Sequence, residues 1–331
     1  MKISVIGMSA TPVAMVAALL ALACGCEPAV DVGKSTDVTA TPPAAVSPAD
    51  DMTAQKAPPA EPLTMDDSAK ENDSAVTSTP PEKTFAARFF CWNIESEGSD
   101  PEVIAQELME MGSYDVYALT EFLPSAKELF EKTLGEDFQL IMSRSGRNDR
   151  LAIAFDTRLY ELIKSFEIEK INYKNRYRSP LVAHLKDKNS GVEFYVMNNH
   201  LARGKEEVRL IQVKQLVEWA RTQLLPVVAL GDYNLDYVFE TQKGNSAFAP
   251  MLQDNVWNWI KPVEMIDTNW YDDPKDPDGK DDYPGSLLDF AFVSGPAKAW
   301  KATCKVIVRP GDFPDDENTS DHRPFELIIS K

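Results

Sequence analysis

From residue 84 onward the chain alternates short apolar runs with polar breaks, and the spacing of the apolar positions sorts the runs into strands and helices. Residues 85–94 form an aromatic-rich run of the kind a buried strand requires. Asp100-Pro101 supplies a helix start with proline at the first helical position, and Ile104, Leu108 and Met111 follow along one helical face. Residues 115–120 read as a second strand and 123–134 as a second helix. Further strands are expected over 138–142, 151–155, 159–168, 181–185 and 193–198. Leu210, Val213, Val217, Ala220 and Leu224 then mark a long amphipathic helix that Pro226 closes. Strands resume at 227–230, 287–293, 303–308 and 325–329. Many strands with few helices between them predict an α/β sandwich, two sheets packed face to face with helices outside. There is no internal repeat, and no recurring blade signature of a propeller.

The first 83 residues follow different rules. Residues 13–23 are uncharged and apolar, too short to span a bilayer as a helix but of the length of a signal-peptide core. They lead into Leu22-Ala23-Cys24-Gly25-Cys26, small residues before a cysteine, which resembles a bacterial lipoprotein box. Residues 1–26 are therefore expected to be an export signal with lipid attachment at Cys24 or Cys26, in preference to an ordinary secretory signal with incidental cysteines. Residues 27–83 are dominated by Pro, Ala, Thr, Ser and Asp and lack aromatic residues. Such a segment buries too little surface to offset its chain entropy, so it reads as a disordered tether for a catalytic domain over 84–331.

The charge balance narrows the partners. The chain carries 34 Lys and Arg against 52 Asp and Glu; residues 1–83 hold 5 and 11 of these, leaving 29 against 41 and a net of −12 on the domain. That is a poor match for nonspecific binding to a polyanion. It does not exclude a phosphate ester, because a bound divalent cation reverses the local sign at a carboxylate-lined site. Two cysteines remain in the domain, Cys91 and Cys304. An exported compartment would permit a disulfide, and a buried free thiol is the equal alternative.

Candidate chemistry sits in polar clusters at the ends of apolar runs. Asn93 and Glu95 follow the first strand, where an asparagine is commonly no more than a turn residue. Glu121 follows Val116-Tyr117-Ala118-Leu119-Thr120, a position typical of helix caps and of metal ligands. Asn198 and His200 alternate along a strand and so share a face, as a phosphate-contacting pair or a satisfied structural pair would. Gly231-Asp232-Tyr233-Asn234 follows Val227-Val228-Ala229-Leu230; the glycine permits close backbone approach, and Asp232 and Asn234 suit a clamp for a nucleophilic water and a phosphoryl oxygen. Asp289 stands alone in an apolar strand and needs a partner, for which His322 in Ser320-Asp321-His322-Arg323-Pro324 is the natural choice. His184 belongs to no motif and reads as structural. The acidic loop 272–282 resembles a calcium loop only faintly, because Pro274 and Gly285 fall where the first and last acids should be.

Taken together, Trp92-Asn93-Ile94-Glu95, Leu119-Thr120-Glu121, Asn198-Asn199-His200-Leu201, Gly-Asp-Tyr-Asn and Ser-Asp-His-Arg-Pro resemble the endonuclease/exonuclease/phosphatase superfamily over residues 85–331. The resemblance implies a four-layer α/β/β/α sandwich, with two packed mixed β-sheets flanked by helices and the site where the loops of the inner sheets meet. It implies that Asn93 and Glu121, with help from Asp321, bind Mg²⁺ or Mn²⁺. Asp232 would orient or deprotonate the attacking water, Asn234 and His200 would hold the phosphate, and His322 paired with Asp289 would stabilise the transition state. Asn198, Arg178 and Arg203 are the further phosphate contacts expected. Thr120 and Tyr233 depart from the usual Gln and Phe. The implied reaction is metal-dependent phosphoester hydrolysis by in-line water attack, which fixes the chemistry far better than the substrate. A nuclease would call for a basic, aromatic-laced track, which here is modest and confined to 170–178. A catalytically dead binding module would be expected to have lost at least one of these groups. A monomer is expected.

Overall fold

The computed structural model describes residues 84–331 except 274, 276 and 313–317. The export signal, the tether and both candidate lipidation cysteines lie outside the described residues. Among those described, no helix is long and apolar enough to cross a membrane.

Two six-stranded mixed sheets carry the domain. The first contains β1 (Ala86–Asn93), β2 (Val116–Phe122), β3 (Phe138–Met142), β4 (Arg150–Asp156), β11 (Lys301–Val306) and β12 (Phe325–Ser330), in the order β11-β12-β1-β2-β4-β3. The second contains β5 (Tyr160–Glu167), β6 (Leu181–Asp187), β7 (Glu193–His200), β8 (Val227–Val238), β9 (Trp257–Trp259) and β10 (Ser286–Ser294), in the order β5-β6-β7-β8-β10-β9. Each sheet has one parallel pair at its centre, β1 with β2 and β7 with β8, and antiparallel neighbours elsewhere.

Alternation along the strands builds three cores rather than one. Phe89 and Cys91 of β1, Val116 and Ala118 of β2, Val196 of β7 and Val228 and Leu230 of β8 fill the space between the sheets. Phe90 and Trp92 of β1 point the other way, onto Ile104 and Leu108 of α1 (Pro101–Glu110) and Phe130 of α2 (Lys127–Leu134). Met197 and Ala229 likewise meet Val213, Leu216 and Ala220 of α3 (Glu206–Arg221). Strands buried on both faces explain why the runs read as continuously apolar. Each large side chain so buried contributes about 1.5–3 kcal/mol. Helix, sheet, sheet and helix follow in that order, the four-layer arrangement expected. Asp100 caps α1, its carboxylate accepting from the Glu102 amide at 2.9 Å.

Three details depart from the sequence reading. The strand expected over 227–230 runs on to Val238, so Gly231-Asp232-Tyr233-Asn234 lies inside β8 and not beyond its end. The three-residue β9 and the short α4 (Phe248–Met251) carry too few periodic positions to be recognised. Cys91 and Cys304 are both buried free thiols, which resolves the open choice in favour of no disulfide.

Gly231 is the tightest point between the central strands. Its φ is +131°, and a Cβ there would sit 2.0 Å from the Asn199 carbonyl oxygen of β7. Gly231→Ala is expected to destabilise the domain by ~3 kcal/mol, read as a lowered urea midpoint with an unchanged slope.

Candidate active site

The polar clusters converge at one end of the sandwich, where β1 and β2 of one sheet face β7 and β8 of the other. Asp232 of β8 is the hub. Its Oδ1 accepts from the Asn234 amide at 2.8 Å, and its Oδ2 accepts from Asn93 Nδ2 at 3.2 Å. The same oxygen lies 3.4 Å from His200 Nε2 and 4.0 Å from His322 Nε2. Asn93 Nδ2 also reaches Glu121 Oε1 at 3.1 Å, and Glu121 is 3.8 Å from His200 Nε2.

Backbone irregularities aim these groups. One extra residue of β2 between Leu119 and Phe122 breaks its register with β4, and Glu121 there takes φ +53°. A bulge in β8 opposite Leu287 and Asp289 puts Asn234 at +50° and Asp236 at +44°. Such left-handed φ values at non-glycine residues are costly and are retained where they re-aim a side chain at a functional site.

Two carboxylate–imidazole pairs flank Asp232. His322 Nδ1 is 2.8 Å from Asp289 Oδ2, and Asp289 stands directly opposite Asp232 in the β8–β10 ladder. Burial disfavours the His322 cation, but Asp289, Asp321 and Asp232 together outweigh it and hold the imidazole protonated well above its usual range. His200 Nδ1 lies 3.3 Å from Asp149 Oδ1, and the other oxygen of Asp149 accepts from Arg178 at 2.7 Å. Burial, helped by the Arg178 cation, keeps His200 neutral. The two imidazoles thus differ in charge, one cationic and one neutral.

The acids are out of their ordinary range as well. Burial and the facing Asp289 push Asp232 up to about 7. Burial and the charges of Asp321 and Glu121 push Glu95 up to about 7, although the Asp321 amide donates to it at 2.9 Å. Burial raises Asp149 to about 6 against the pull of Arg178.

Ser320 explains the tail motif. Its hydroxyl donates to the Asn93 carbonyl at 2.6 Å and accepts from the His322 amide at 3.0 Å, while Trp92 Nε1 donates to the His322 carbonyl at 2.7 Å. Arg323 turns away to the Asp267 carbonyl and Asp312.

Asn93, Glu121, His200, Asp232, Asn234, Asp289, Asp321 and His322 are therefore brought together. Three residues expected to contact phosphate are engaged elsewhere. Asn198 is fully buried below the site, its Nδ2 donating across the sheet interface to the carbonyls of Leu119 at 2.8 Å and Ala152 at 2.9 Å. Arg178 holds Asp149 and the Leu201 carbonyl. Arg203 donates to the Tyr283 hydroxyl at 3.3 Å at the rim. Of the two departures from the usual motif, Tyr233 accepts from Asn199 Nδ2 at 2.9 Å, whereas Thr120 is buried with its hydroxyl unpartnered.

Asp149 and Glu95 carry roles that sequence reasoning did not assign. Asp149 belongs to no motif and gains its meaning only from the approach of His200. Glu95, two residues past Asn93, turns into the site through φ +46°.

Glu121, His200 and Asp232 present donor atoms within 4.8 Å of one another, a group able to hold a metal. Glu95 and Asp321 add oxygen donors at its edge, and the repulsion that adds to burial in raising Glu95 is a charge excess a divalent cation would relieve. A mainly carboxylate donor set suits a hard cation.

A sandwich of two mixed six-stranded sheets with helices outside is the fold of endonuclease/exonuclease/phosphatase proteins. Similar solved structures include a protein of that family from Bacteroides thetaiotaomicron, with TM-score 0.57 and 16% identity over 75% of this chain and 98% of that one. A mannosyl-6-phosphatase from the same organism aligns with TM-score 0.55 and 16% identity over 73% and 99%. TDP2 from D. rerio, complexed with a single-stranded DNA product, aligns with TM-score 0.58 and 15% identity over 74% and 99%. No protein-family model matches the chain, and no curated protein matches it.

The His322–Asp289 pair is testable as a unit. His322→Ala and Asp289→Asn are each expected to lower kcat roughly 10²–10⁴-fold, with the double variant little worse than either. Because Asp289 raises the pKa of His322, Asp289→Asn should also move the alkaline limb of the kcat–pH profile to lower pH. Additive losses, or an unmoved limb, would separate the two residues.

Proposed function

We propose that the chain is a divalent-metal-dependent phosphoester hydrolase. The observation that supports it best is the convergence on Asp232 of a cationic imidazole, a neutral imidazole and a carboxylate cluster suited to a hard cation. Glu121, with Asn93, Glu95 and Asp321 around it, would hold Mg²⁺ or Mn²⁺. Such an ion supplies charge to polarise the phosphoryl group and neutralise what develops on its oxygens.

The protein groups divide the remaining work. Asp232, with a pKa of about 7, is matched to taking a proton from water near neutral pH. The His322 imidazolium, oriented by Asp289, donates to phosphoryl oxygens as they gain charge. His200, with Asp149 beside its Nδ1, and the Asn234 carboxamide position the phosphate against that water. Water attacks phosphorus in line with the departing alcohol oxygen.

A nuclease is the second reading, and one observation favours it. On the Asp149 side the site opens into a recess of about 580 Å³ lined by Arg147, Arg176, Arg178 and Tyr177. A cationic recess with an aromatic side chain is what a polynucleotide backbone requires. The net charge of the domain opposes it. Hydrolysis of p-nitrophenyl phosphate against bis-p-nitrophenyl phosphate, followed by nicking of plasmid DNA, separates monoesterase, diesterase and nuclease.

Metal dependence is the direct test of the primary reading. EDTA should abolish turnover, Mg²⁺ or Mn²⁺ should restore it, and Glu121→Gln should lower it on the order of 10²-fold or more with the fold intact by circular dichroism. Near-normal turnover of that variant at low Mg²⁺ would remove Glu121 from the site.

We propose further that the domain works outside the cytoplasm, tethered by lipid on Cys24 or Cys26. The support is the apolar run at 13–23 followed by Leu-Ala-Cys-Gly-Cys. Mass spectrometry of the mature N-terminal peptide should find an acylated cysteine; an unmodified peptide carrying both thiols would sink the anchor.

A further inference from the structure

On the Asn234 side of the site the wall opens into a second recess of about 440 Å³ whose lining includes Arg203, Arg209, Asn234, Asp236, Asn269 and Tyr283. Its volume falls within the range that holds small molecules, ~300–1,000 Å³. It adjoins the acid–imidazole cluster through two of these residues. Asn234 belongs to both sites, and Asn269 pairs through its backbone with His322.

The recess is rich in fixed acceptors. The β8 bulge turns Asp236 toward it, and Asn245 Nδ2 holds Asp236 Oδ2 at 2.6 Å. Arg209 stands 3.6 Å from the same carboxylate and is itself buried, donating to the Ala202 carbonyl at 2.8 Å. Asp236 is thereby locked in place while 48% of its side chain stays open. Asn269 Oδ1 is buried with no hydrogen-bond partner. Across the recess the Tyr283 ring stacks on Tyr271 at 5.3 Å and 29°, and its hydroxyl accepts from Arg203.

These features discriminate between ligands. A second phosphate would meet the Asp236 carboxylate, which repels it and already holds Arg209, leaving only Arg203 to attract it. An alkyl or aryl group would strip the half-open Asp236 carboxylate of water and return no hydrogen bond. A ring bearing several hydroxyls satisfies that carboxylate with O–H donors, accepts from Arg203, and lays its C–H face on tyrosine.

We propose that this recess holds the alcohol part of the substrate and that the substrate is a monosaccharide phosphate, with Asp236 receiving its hydroxyls. The proposal rests on the phosphoester-hydrolase reading and adds the substrate class. Asp236 and Tyr283 act here as specificity determinants and take no part in the proton transfers.

The experiment compares two primary alkyl phosphates of similar size on the Mg²⁺-loaded full chain, a hexose 6-phosphate and n-hexyl phosphate. The kcat/KM ratio should favour the sugar by about tenfold or more. Asp236→Asn and Tyr283→Phe should each lower that ratio by about fivefold or more, because each weakens hydroxyl recognition while leaving the reacting bond the same. Tyr283 is at the surface, so its variant decides the matter if Asp236→Asn fails to fold. Equal rates on the two esters, or a ratio unmoved in the folded variants, overturns the proposal. So does faster cleavage of a single-stranded DNA oligonucleotide, which would point to the cationic recess instead. Hydrolysis of p-nitrophenyl phosphate separates the two levels: its absence with Mg²⁺ defeats the hydrolase reading and this proposal with it, whereas its presence without a sugar preference defeats this proposal alone.

Discussion

A carboxylate taken out of water must find a counter-charge or take up a proton, and this domain buries or half-buries six of them at one end: Glu95, Glu121, Asp149, Asp232, Asp289 and Asp321. Arg178 balances Asp149, and the His322 cation balances Asp289. Asp232 and Glu95 are left with pKa values near 7, the mark of charge not fully compensated by protein groups. Replacing these acids by apolar residues would relieve the repulsion. Their presence instead suits a cation, and the near-neutral poise of Asp232 comes from burial first and the facing Asp289 second.

The scaffold holds that charge by rigidity elsewhere. Three separate apolar cores fix the central strands, and Gly231 lets β8 lie against the Asn199 backbone more closely than any side chain would allow. Asn198, just beneath the site, ties the sheets together through two carbonyls of the opposite sheet. The strained φ values at Glu95, Glu121, Asn234 and Asp236 cluster around the site. Strain is tolerated there because the flanking strands leave the backbone no alternative.

Much of this arrangement was legible in the chain. Runs buried on both faces announce themselves by composition, so β1, β2 and β7 emerged close to their observed bounds, whereas Leu224, expected on the apolar face of α3, lies past its end at Arg221 and is exposed. The chemical clusters were readable because Asp232, Asp289 and His322 are charged or titratable residues set in apolar surroundings. What escaped depends on contacts distant in sequence. Asp149 is an ordinary loop acid between Asn148 and Arg150 until His200 lies beside it. Asn198 looks like a ligand because it shares a face with His200, yet two positions along a strand are enough to drop it out of the site and into the core. The polar Gly-Asp-Tyr-Asn imitates a strand end, since a bulged strand carrying a site breaks the apolar pattern before it stops pairing. The acidic loop shows the opposite case: Asp272, Asp278 and Asp281 mostly accept hydrogen bonds from the loop's own amides, as a solvated turn would.

The Ser320 staple to Asn93 joins residues 227 apart. β12, which follows it, pairs with β1 from Ala86 to Cys91, so the first strand of the domain waits for its last. Until β12 docks, β1 presents one unpaired edge, and His322 and Asp321 are absent from the cluster. The nascent domain therefore passes through synthesis with its acids assembled in part and its imidazolium missing. The cluster is completed in one late step of folding.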